Sequence, residues 1–248
     1  MTDRTILSVS GTDRRDFLQG LVSNDIARAD DGIAYAAMLT PQGKLIADFF
    51  IVGRAEDYLI DVATPIAATL FQRLSMYKLR AEVAITEAPL AVFRGTGEPV
   101  PDGALTDPRH PAMGWRLYGE KPGDDGSDWD ALRVAHIVPE TGIELGPESY
   151  LLETGFERLK GVDFRKGCYV GQEVTARMKH KTELRKGLAR VRVEGTADPD
   201  TPITAAGKTI GTLHTRAGDE AIAYLRFDRA DGEMTAGEAR VTLVEKAV

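Results

Sequence analysis

Three short apolar runs, each bounded by turn residues, restrict the first third of the chain to antiparallel strands. The runs cover Ile33–Leu39, Leu45–Val52 and Tyr58–Val62, and Pro41–Lys44 and Arg54–Asp57 connect them. Apolar runs of this length between Gly, Pro and polar residues are typical of strands joined by tight turns. The pattern therefore predicts a β-meander.

The residues around this meander predict an α+β domain. A strand is expected at Ile6–Ser10, and a helix from Thr12 to about Val22. Thr64 and Pro65 predict a second helix, with Pro at its first position, and strands follow at Glu82–Thr86 and Leu90–Arg94. The order βαβββαββ favours a mostly antiparallel sheet.

The rest of the chain predicts a loop-rich middle and a small barrel at the end. We expect a strand at Met113–Tyr118 and helices at Asp130–His136, Tyr150–Leu159 and after Gly171 to Met178. Later alternating runs predict an antiparallel barrel of about 60 residues; they are Leu188–Val193, Thr209–Thr215, Ala221–Phe227 and Arg240–Val244. The predicted domains are 1–183, with two lobes divided near 95–130, and 184–248.

Cysteine and histidine usage excludes several classes of site. Cys168 is the single cysteine among 248 residues, so an internal disulfide or a site of four thiolates from this chain is impossible. The four histidines have no metal-ligand spacing. No run of 18 apolar residues is present, and no secretory signal is recognisable, so we expect a cytoplasmic protein without a membrane partner.

The charge of the chain is unevenly distributed. The net charge is −7, yet the stretch from Arg158 to Arg190 carries ten Lys/Arg and three Asp/Glu, an excess of +7. An acidic protein with one basic segment is expected to bind an anion there, although a solvated face with acids nearby in space is the alternative. Stable binding of nucleic acid is not expected, because the net charge is acidic and aromatic residues among the cations are sparse.

Cys168 lies in a setting that favours a reactive thiolate. Lys166 and Arg165 precede it, a predicted helix start follows it, and Gly167 and Gly171 permit tight turns beside it. Such a thiolate can act as a nucleophile, as one ligand of a shared metal or cluster, or as a redox-sensitive group. Alternatively, Cys168 is a small apolar side chain packed in the core. The residues alone do not distinguish among these possibilities.

The segment Lys166-Gly-Cys-Tyr-Val-Gly-Gln-Glu173 resembles the K-G-C-Y-x-G-Q-E signature of the YgfZ family. Members of this family bind folate, assist iron–sulfur cluster assembly or repair, and have long been labelled tRNA-modifying proteins. They are related to the T-protein (aminomethyltransferase) of the glycine cleavage system. Phe17–Asp25 and Leu39–Lys44 are similar to the family's first helix and hairpin turn.

The resemblance implies a three-lobed T-protein-like fold with a cavity for tetrahydrofolate. It assigns essential roles to Cys168 and Lys166 and implies folate-binding and motif residues, with two secondary candidates. The folate-binding set is Trp129, Tyr169, Gln172, Glu173 and Arg177; the motif glycines are Gly167 and Gly171; the secondary candidates are Asp48 and Asn24.

Three positions depart from the pattern of the relatives. Ala47-Asp48 replaces tandem acids, Ala135 replaces a pterin-binding Glu, and Arg4 replaces an aromatic residue found in some relatives. The first two changes weaken an aminomethyl-transfer mechanism, which needs carboxylates to position the pterin and handle protons.

The functional prediction is a monomeric, folate-binding accessory protein that supports iron–sulfur clusters in client enzymes, including tRNA-modifying ones. Its expected partners are those clients or assembly proteins, with tetrahydrofolate and a transient shared cluster as cofactors. Two alternatives remain open: a folate-dependent one-carbon transferase or demethylase, and an interaction scaffold that binds no folate.

Overall fold

The chain forms two compact units in a computed structural model that describes residues 3–30, 32–181 and 183–248. The first unit comprises Met1–Ser127 and Leu159–Val174, and the second comprises Asp128–Arg158 and Thr175–Val248. The predicted division at 183/184 stays a prediction.

A five-stranded antiparallel sheet forms the centre of the first unit and confirms the predicted meander. Its strand order is β2-β3-β4-β1-β5. The meander has the predicted pairing, with Ala36 opposite Phe49 and Ile51 opposite Ile60. The strands are β1 (Arg4–Ser10), β2 (Ile33–Leu39), β3 (Leu45–Gly53), β4 (Asp57–Ala63) and β5 (Ala84–Glu87).

Two helices pack on one face of this sheet. Helix α1 covers Arg14–Gln19 and helix α2 covers Thr64–Lys78. Buried side chains of both helices, Leu18 and Leu70 among them, join the alternate apolar side chains of the strands in one core. Helix α1 is shorter than predicted because Val22 leaves the helix and forms a β-bridge to Met38.

A second, four-stranded sheet completes the first unit, in the order β7-β8-β6-β9. Where one strand was predicted in the loop-rich segment, the structure has three. Two of them are only two residues long, too short to produce a periodic pattern. The strands are β6 (Ala91–Gly95), β7 (Leu105–Thr106), β8 (Trp115–Gly119) and β9 (Gly123–Asp124).

The second unit contains the predicted barrel, which is closed by six strands in the order β10-β13-β12-β11-β14-β15. Sequence reasoning missed the short strands β11 and β14. The strands are β10 (Lys186–Glu194), β11 (Pro202–Ala205), β12 (Lys208–Ala217), β13 (Glu220–Arg226), β14 (Met234–Ala236) and β15 (Ala239–Lys246).

Helix α3 (Trp129–His136) agrees with prediction, and helix α4 (Gln172–Lys181) follows Gly171 as expected. The predicted helix at Tyr150–Leu159 is wrong, because that segment contains only a short 3-10 turn at Leu152–Thr154. Gly155 follows the turn with a φ of 77°, a left-handed conformation that stops helical propagation. Of the helices in the described ranges, none combines the length and the apolar character that crossing a bilayer requires.

Candidate functional site

Cys168 lies on a short loop, residues 166–171, that we term the Cys168 loop. Gly167 and Gly171 have φ values of 91° and 83°, so the chain takes left-handed conformations on both sides of the cysteine. The Cys168 side chain is exposed, which excludes the packed hydrophobe that the sequence left open as the alternative. The thiol is therefore presented to solvent on a loop whose conformation depends on glycine at two positions.

Lys166 connects the start of the Cys168 loop to the end of helix α1. Its Nζ donates hydrogen bonds to the backbone oxygens of Gln19, at 2.5 Å, and Val22, at 2.7 Å. In return, Gln19 Nε2 donates to the Lys166 backbone oxygen at 3.1 Å. Gln19 Oε1 accepts from the Ile26 backbone N–H at 2.9 Å, which fixes the amide orientation.

The partly buried Lys166 ammonium has an altered pKa. Burial lowers the pKa of Lys166 from 10.5 to about 8, while Asp25, Asp163 and Cys168 act in the opposite direction through their negative charges. Lys166 Nζ also lies 4.8 Å from the centroid of the Tyr169 ring. Two of the three N–H donors of this cation serve backbone oxygens at the end of α1 and just after it, and the predicted activation of Cys168 by Lys166 stays a prediction.

The other end of the Cys168 loop is held by its own backbone and by the apolar core. The Tyr169 N–H donates to Gln172 Oε1 at 3.2 Å, and the Gln172 N–H donates back to the Tyr169 oxygen at 3.2 Å. Tyr169 is buried, and Val170 packs against the core of the first unit. Tyr169 and Gln172, predicted to bind folate, thus have structural contacts that hold the loop.

The Cys168 loop rests against the β2–β3 hairpin turn. A Cβ atom at Gly171 would lie 2.5 Å from the Thr40 oxygen, and a Cβ atom at Gly43 would lie 2.7 Å from Val174 Cβ. Only glycine permits such close approach at both places. The Leu39–Lys44 turn and the cysteine signature, two separate motifs in the sequence, are therefore adjacent in space.

The secondary candidates Asn24 and Asp48 are buried inside the first unit. Asn24 Nδ2 donates to the backbone oxygens of Tyr35, at 2.8 Å, and Lys160, at 2.7 Å. Asp48 accepts a hydrogen bond from the Tyr35 hydroxyl at 3.0 Å. The Asn24 bonds join the segment that precedes the Cys168 loop to β2, whereas the Asp48 bond connects β3 to β2 within the sheet. Both residues therefore have structural contacts, and their predicted part in the site stays a prediction.

Sequence reasoning missed a buried cluster of charged residues in the first unit. Asp61, on β4, accepts hydrogen bonds from Arg4 Nε at 2.6 Å, from Arg116 Nη2 at 2.5 Å and from the Tyr118 hydroxyl at 2.9 Å. Although burial alone would raise it, the two guanidinium groups lower the pKa of Asp61 to about 2. Arg4, which replaces an aromatic residue of some relatives, therefore has a structural partner.

The same cluster continues toward β3 through a second ion pair. Arg109 and Asp107 form a salt bridge at 2.8 Å, with both side chains buried. The Arg109 and Arg116 guanidinium carbons lie 4.8 Å and 4.0 Å from the Phe50 ring centroid. The signal available in the sequence was Asp61, one carboxylate inside the apolar run Tyr58–Val62.

The remaining predicted folate-binding residues are divided between the two units. Trp129 and Arg177 belong to the second unit and Glu173 to the first. Trp129 is 9% exposed, whereas Glu173 and Arg177 are exposed on helix α4. The prediction that these side chains share one ligand stays a prediction.

Acidic partners offset part of the basic segment between Arg158 and Arg190. In the second unit, Lys179 pairs with Glu157 at 2.6 Å, and Arg190 contacts both Glu220 and Glu245. In the first unit, by contrast, the segment's own acid Asp163 pairs at 2.9 Å with Arg28, a cation outside the segment. Among the residues that the structure describes, no group of three or more His, Cys, Asp or Glu side chains is arranged to hold a metal ion.

The fold and the barrel define the class of the protein. The structure matches the crystal structure of glycine cleavage system aminomethyltransferase T from Bartonella henselae with a TM-score of 0.78, covering 98% of this chain and 83% of that chain at 11% identity. Residues 185–247 match the family model of the CAF17 C-terminal β-barrel domain. The chain therefore has a T-protein-like fold that ends in a CAF17-type barrel.

Comparison with curated proteins identifies the family. The mouse protein named iron-sulfur cluster assembly factor IBA57, mitochondrial, is 30% identical over 93% of this chain and 78% of its own length. The human protein of the same name is 29% identical over the same shares. The chain belongs to the IBA57 family of iron–sulfur cluster assembly factors.

Proposed function

We propose that this protein supports iron–sulfur cluster assembly by supplying the Cys168 thiolate as one transient ligand of a cluster that passes to a client protein. The observation that carries the proposal is the exposure of Cys168 on a loop held at both ends. A ligand for cargo must reach solvent and keep its position, and this loop meets both requirements.

The ligand count follows from the composition. Iron–sulfur clusters of the common types are held by four protein or small-molecule ligands, mostly thiolates. This chain has one cysteine, so a partner or a small thiol has to supply the others. When the cluster binds, the Cys168 proton passes to water, and the new iron–Sγ bond replaces a bond between iron and a donor ligand. Release to the client reverses this exchange without a change in oxidation state.

Lys166 has two parts in the proposal. Its ammonium fixes the loop to the end of α1, and its positive charge lies near the ligand sulfur. A cation beside a thiolate favours the anionic form that binds iron. Replacement by Arg would keep the charge but cannot reproduce a compact donor to two carbonyl oxygens in this partly buried position.

We also propose that a reduced folate binds, because the second unit contains residues with fitting chemistry. Trp129 offers a flat aromatic surface and the exposed Arg177 a cation for the glutamate carboxylates. When bound, such a folate supplies a one-carbon or reducing equivalent. The 9% exposure of Trp129 means that only part of its ring is accessible without a local shift. Quenching of tryptophan fluorescence by tetrahydrofolate that is lost in Trp129→Phe tests this part.

The proposal includes four further properties of the protein. They are kinship with the YgfZ family in particular, tRNA-modifying enzymes among the clients, a monomeric state and a cytoplasmic location. The mouse and human relatives are named as mitochondrial proteins. Size-exclusion chromatography with light scattering and localisation of a tagged chain test the last two.

Complementation tests the central part of the proposal. Cells that lack the gene are supplied with the native chain or with Cys168→Ser, and the activities of iron–sulfur enzymes are measured beside those of enzymes without clusters. We expect the variant to fold and to leave the cluster enzymes at the level of the deletion strain. Full rescue by Cys168→Ser would overturn the ligand role. The Phe164→Ser variant, altered at another exposed position close to the loop, serves as the matched control and should rescue.

A further inference from the structure

The outward side of helix α2 exposes large apolar residues where polar ones are expected. Ala67, Leu70 and Leu74 face the core of the first unit. At 100° per residue, Met76 lies opposite the core-facing side, and Arg73, one turn before it, lies about 90° from the core-facing direction. The surface continues into the residues that follow the helix. Met76 is 59% exposed and Leu79 is 88% exposed. We term the residues Arg73, Met76, Leu79 and Arg80 the α2 patch.

In its position, Leu79 contributes nothing to the stability of the fold. It follows the last helical residue with φ 44° and ψ −104°, a conformation that an L side chain rarely adopts and that favours glycine at a helix end. Its side chain is almost fully exposed, so packing does not compensate for the backbone strain. Leu79 is strained and makes no contact with the core. This combination indicates that its side chain binds another molecule and does not stabilise the fold.

The charge of this surface is opposite to that of the rest of the protein. Residues 64–80 contain Arg73, Lys78 and Arg80 and no acidic residue. Since the net charge is −7, the remainder of the chain carries −10. Within the part of the chain that the structure describes, Arg73 and Arg80 have no ion-pair partner. The α2 patch thus combines exposed apolar side chains with two arginines that form no ion pair within the described part of the chain.

We propose that the α2 patch is a docking surface for an acidic segment of a partner protein. Carboxylates of that segment pair with Arg73 and Arg80, and its apolar side chains cover Met76 and Leu79. Charge complementarity favours this occupant, because a basic surface on an acidic protein attracts an acidic partner locally and directs its approach. The proposal does not depend on the chemistry of Cys168.

An anionic membrane is the less favoured occupant. Two large apolar side chains over about one helical turn bury far less area than an amphipathic helix that lies in a bilayer surface. The −10 charge of the remaining chain would also be repelled by anionic lipids. These two arguments make the membrane an outcome to be excluded by experiment.

Site-specific photo-crosslinking in the cells that produce the chain tests the proposal. A benzophenone amino acid replaces Met76 in the full chain, and the same group at Val244, an exposed apolar position on the barrel, serves as the control. We expect position 76 to crosslink to one protein, at a segment with net negative charge. The yield should fall at least several-fold in the Arg73→Glu/Arg80→Glu background and recover when acids in the mapped segment are changed to Lys.

Four results would overturn the proposal. They are crosslinks at position 76 that match those at position 244, no crosslinks at all, a mapped segment without acidic residues, and a product with lipid or with a second copy of this chain. Flotation with vesicles of phosphatidylglycerol and phosphatidylcholine is run in parallel. We expect no binding, and binding that the double variant abolishes would assign the α2 patch to a membrane instead.

Leu79→Gly separates docking from folding. Because glycine adopts positive φ without strain, we expect the variant to raise the melting temperature or leave it unchanged while it lowers the crosslinking yield at position 76 several-fold. A yield equal to that of the native chain would remove Leu79 from the docking surface and contradict the explanation of its strain.

Discussion

Gln19 and Lys166, 147 residues apart in the sequence, are joined by two hydrogen bonds that run in opposite directions. The amide of Gln19 donates to the backbone of Lys166, and the ammonium of Lys166 donates to the backbone of Gln19. This reciprocal pair connects the end of helix α1 to the loop that presents Cys168. The position of the thiol therefore depends on a helix far from it in the sequence.

Loss of the Gln19 amide is expected to loosen the Cys168 loop. Gln19→Leu removes the hydrogen bonds to Lys166 and Ile26, and we expect a loss of about 1–3 kcal/mol in the free energy of unfolding. Urea denaturation measures the loss, and amide exchange should quicken at 166–170. Gln42→Leu, at an exposed position of the hairpin turn, is the control and should change stability by about 0.5 kcal/mol or less. Equal effects of the two variants would refute the structural role of Gln19.

The lowered pKa of Lys166 predicts a dependence of stability on pH. The pKa is about 8 in the folded chain and near its ordinary value of 10.5 in the unfolded chain. Between these values the unfolded chain binds more protons, so stability should rise as the pH rises from about 8 toward 10.5. Tyrosines whose pKa values burial raises oppose this trend as the pH approaches and passes about 10, where unfolded tyrosine ionises; they are Tyr35, Tyr58, Tyr118 and Tyr224.

Urea midpoints at about pH 7 and pH 9.5, compared between the native chain and Lys166→Met, isolate this contribution. The difference in stability between the two proteins should shift in favour of the native chain at the higher pH. A difference that stays constant, or that shifts the other way, would show that Lys166 is not desolvated as the structure describes.

The two glycines of the Cys168 loop provide a matched pair of substitutions. Both have positive φ, but a Cβ atom at Gly167 meets open space, whereas one at Gly171 would lie 2.5 Å from the Thr40 oxygen. Gly167→Ala should cost about 1–2 kcal/mol in unfolding free energy for backbone strain alone. Gly171→Ala should cost clearly more, because the hairpin turn must also move. Equal losses in thermal unfolding would contradict the close contact between loop and turn.

The buried Asp61 is expected to be essential for folding of the first unit. Asp61→Asn leaves the buried Arg116 and the largely buried Arg4 without their carboxylate, and we expect a loss of about 3–5 kcal/mol. Because the folded pKa is about 2 and the ordinary value is 3.8, the native chain should lose the contribution of Asp61 as the pH falls from about 4 to 2. Acid unfolding followed by circular dichroism measures this loss, and the exposed Asp102→Asn is the control. If Asp61→Asn unfolds at the pH of the control, the cluster is not the stabilising element described.

Local patterns in the sequence predicted the elements whose signals are local. The β2–β4 meander, the start of α2 and four of the six barrel strands follow from apolar runs, turn residues and a proline near the helix start. The helix begins one residue earlier than predicted, because Ala63 is the N-cap residue where Thr64 was expected, and Pro65 is therefore the second helical residue. The two-residue strands β7 and β9 could not be predicted, since their pairing to β8 and β6 is decided by tertiary contacts. The helix expected at Tyr150–Leu159 failed for a local reason, because Gly155 inside the segment adopts a left-handed conformation that ends the turn early.

The site was predictable only as a list of residues. The signature pointed to Cys168 and Lys166, and Gly167 and Gly171 indicated the tight turns that the structure has on both sides of the cysteine. That Lys166 binds carbonyl oxygens at the end of α1 and just after it, that Gly171 lies against Thr40, and that Arg4 pairs with Asp61 all depend on contacts between distant segments. No periodicity or spacing in one sequence encodes such contacts.

Anaerobic reconstitution of a cluster on the purified chain tests the account most directly. Iron, sulfide and glutathione are added to the native chain and to Cys168→Ser, and visible absorption and circular dichroism are recorded after desalting. The account predicts a protein-bound cluster on the native chain with one Cys168 thiolate per cluster, and none on the variant, while the far-ultraviolet spectra of both remain the same. An equal cluster on Cys168→Ser would contradict the assignment of this sulfur as the ligand, and so would the absence of any cluster on the native chain with every thiol partner tried.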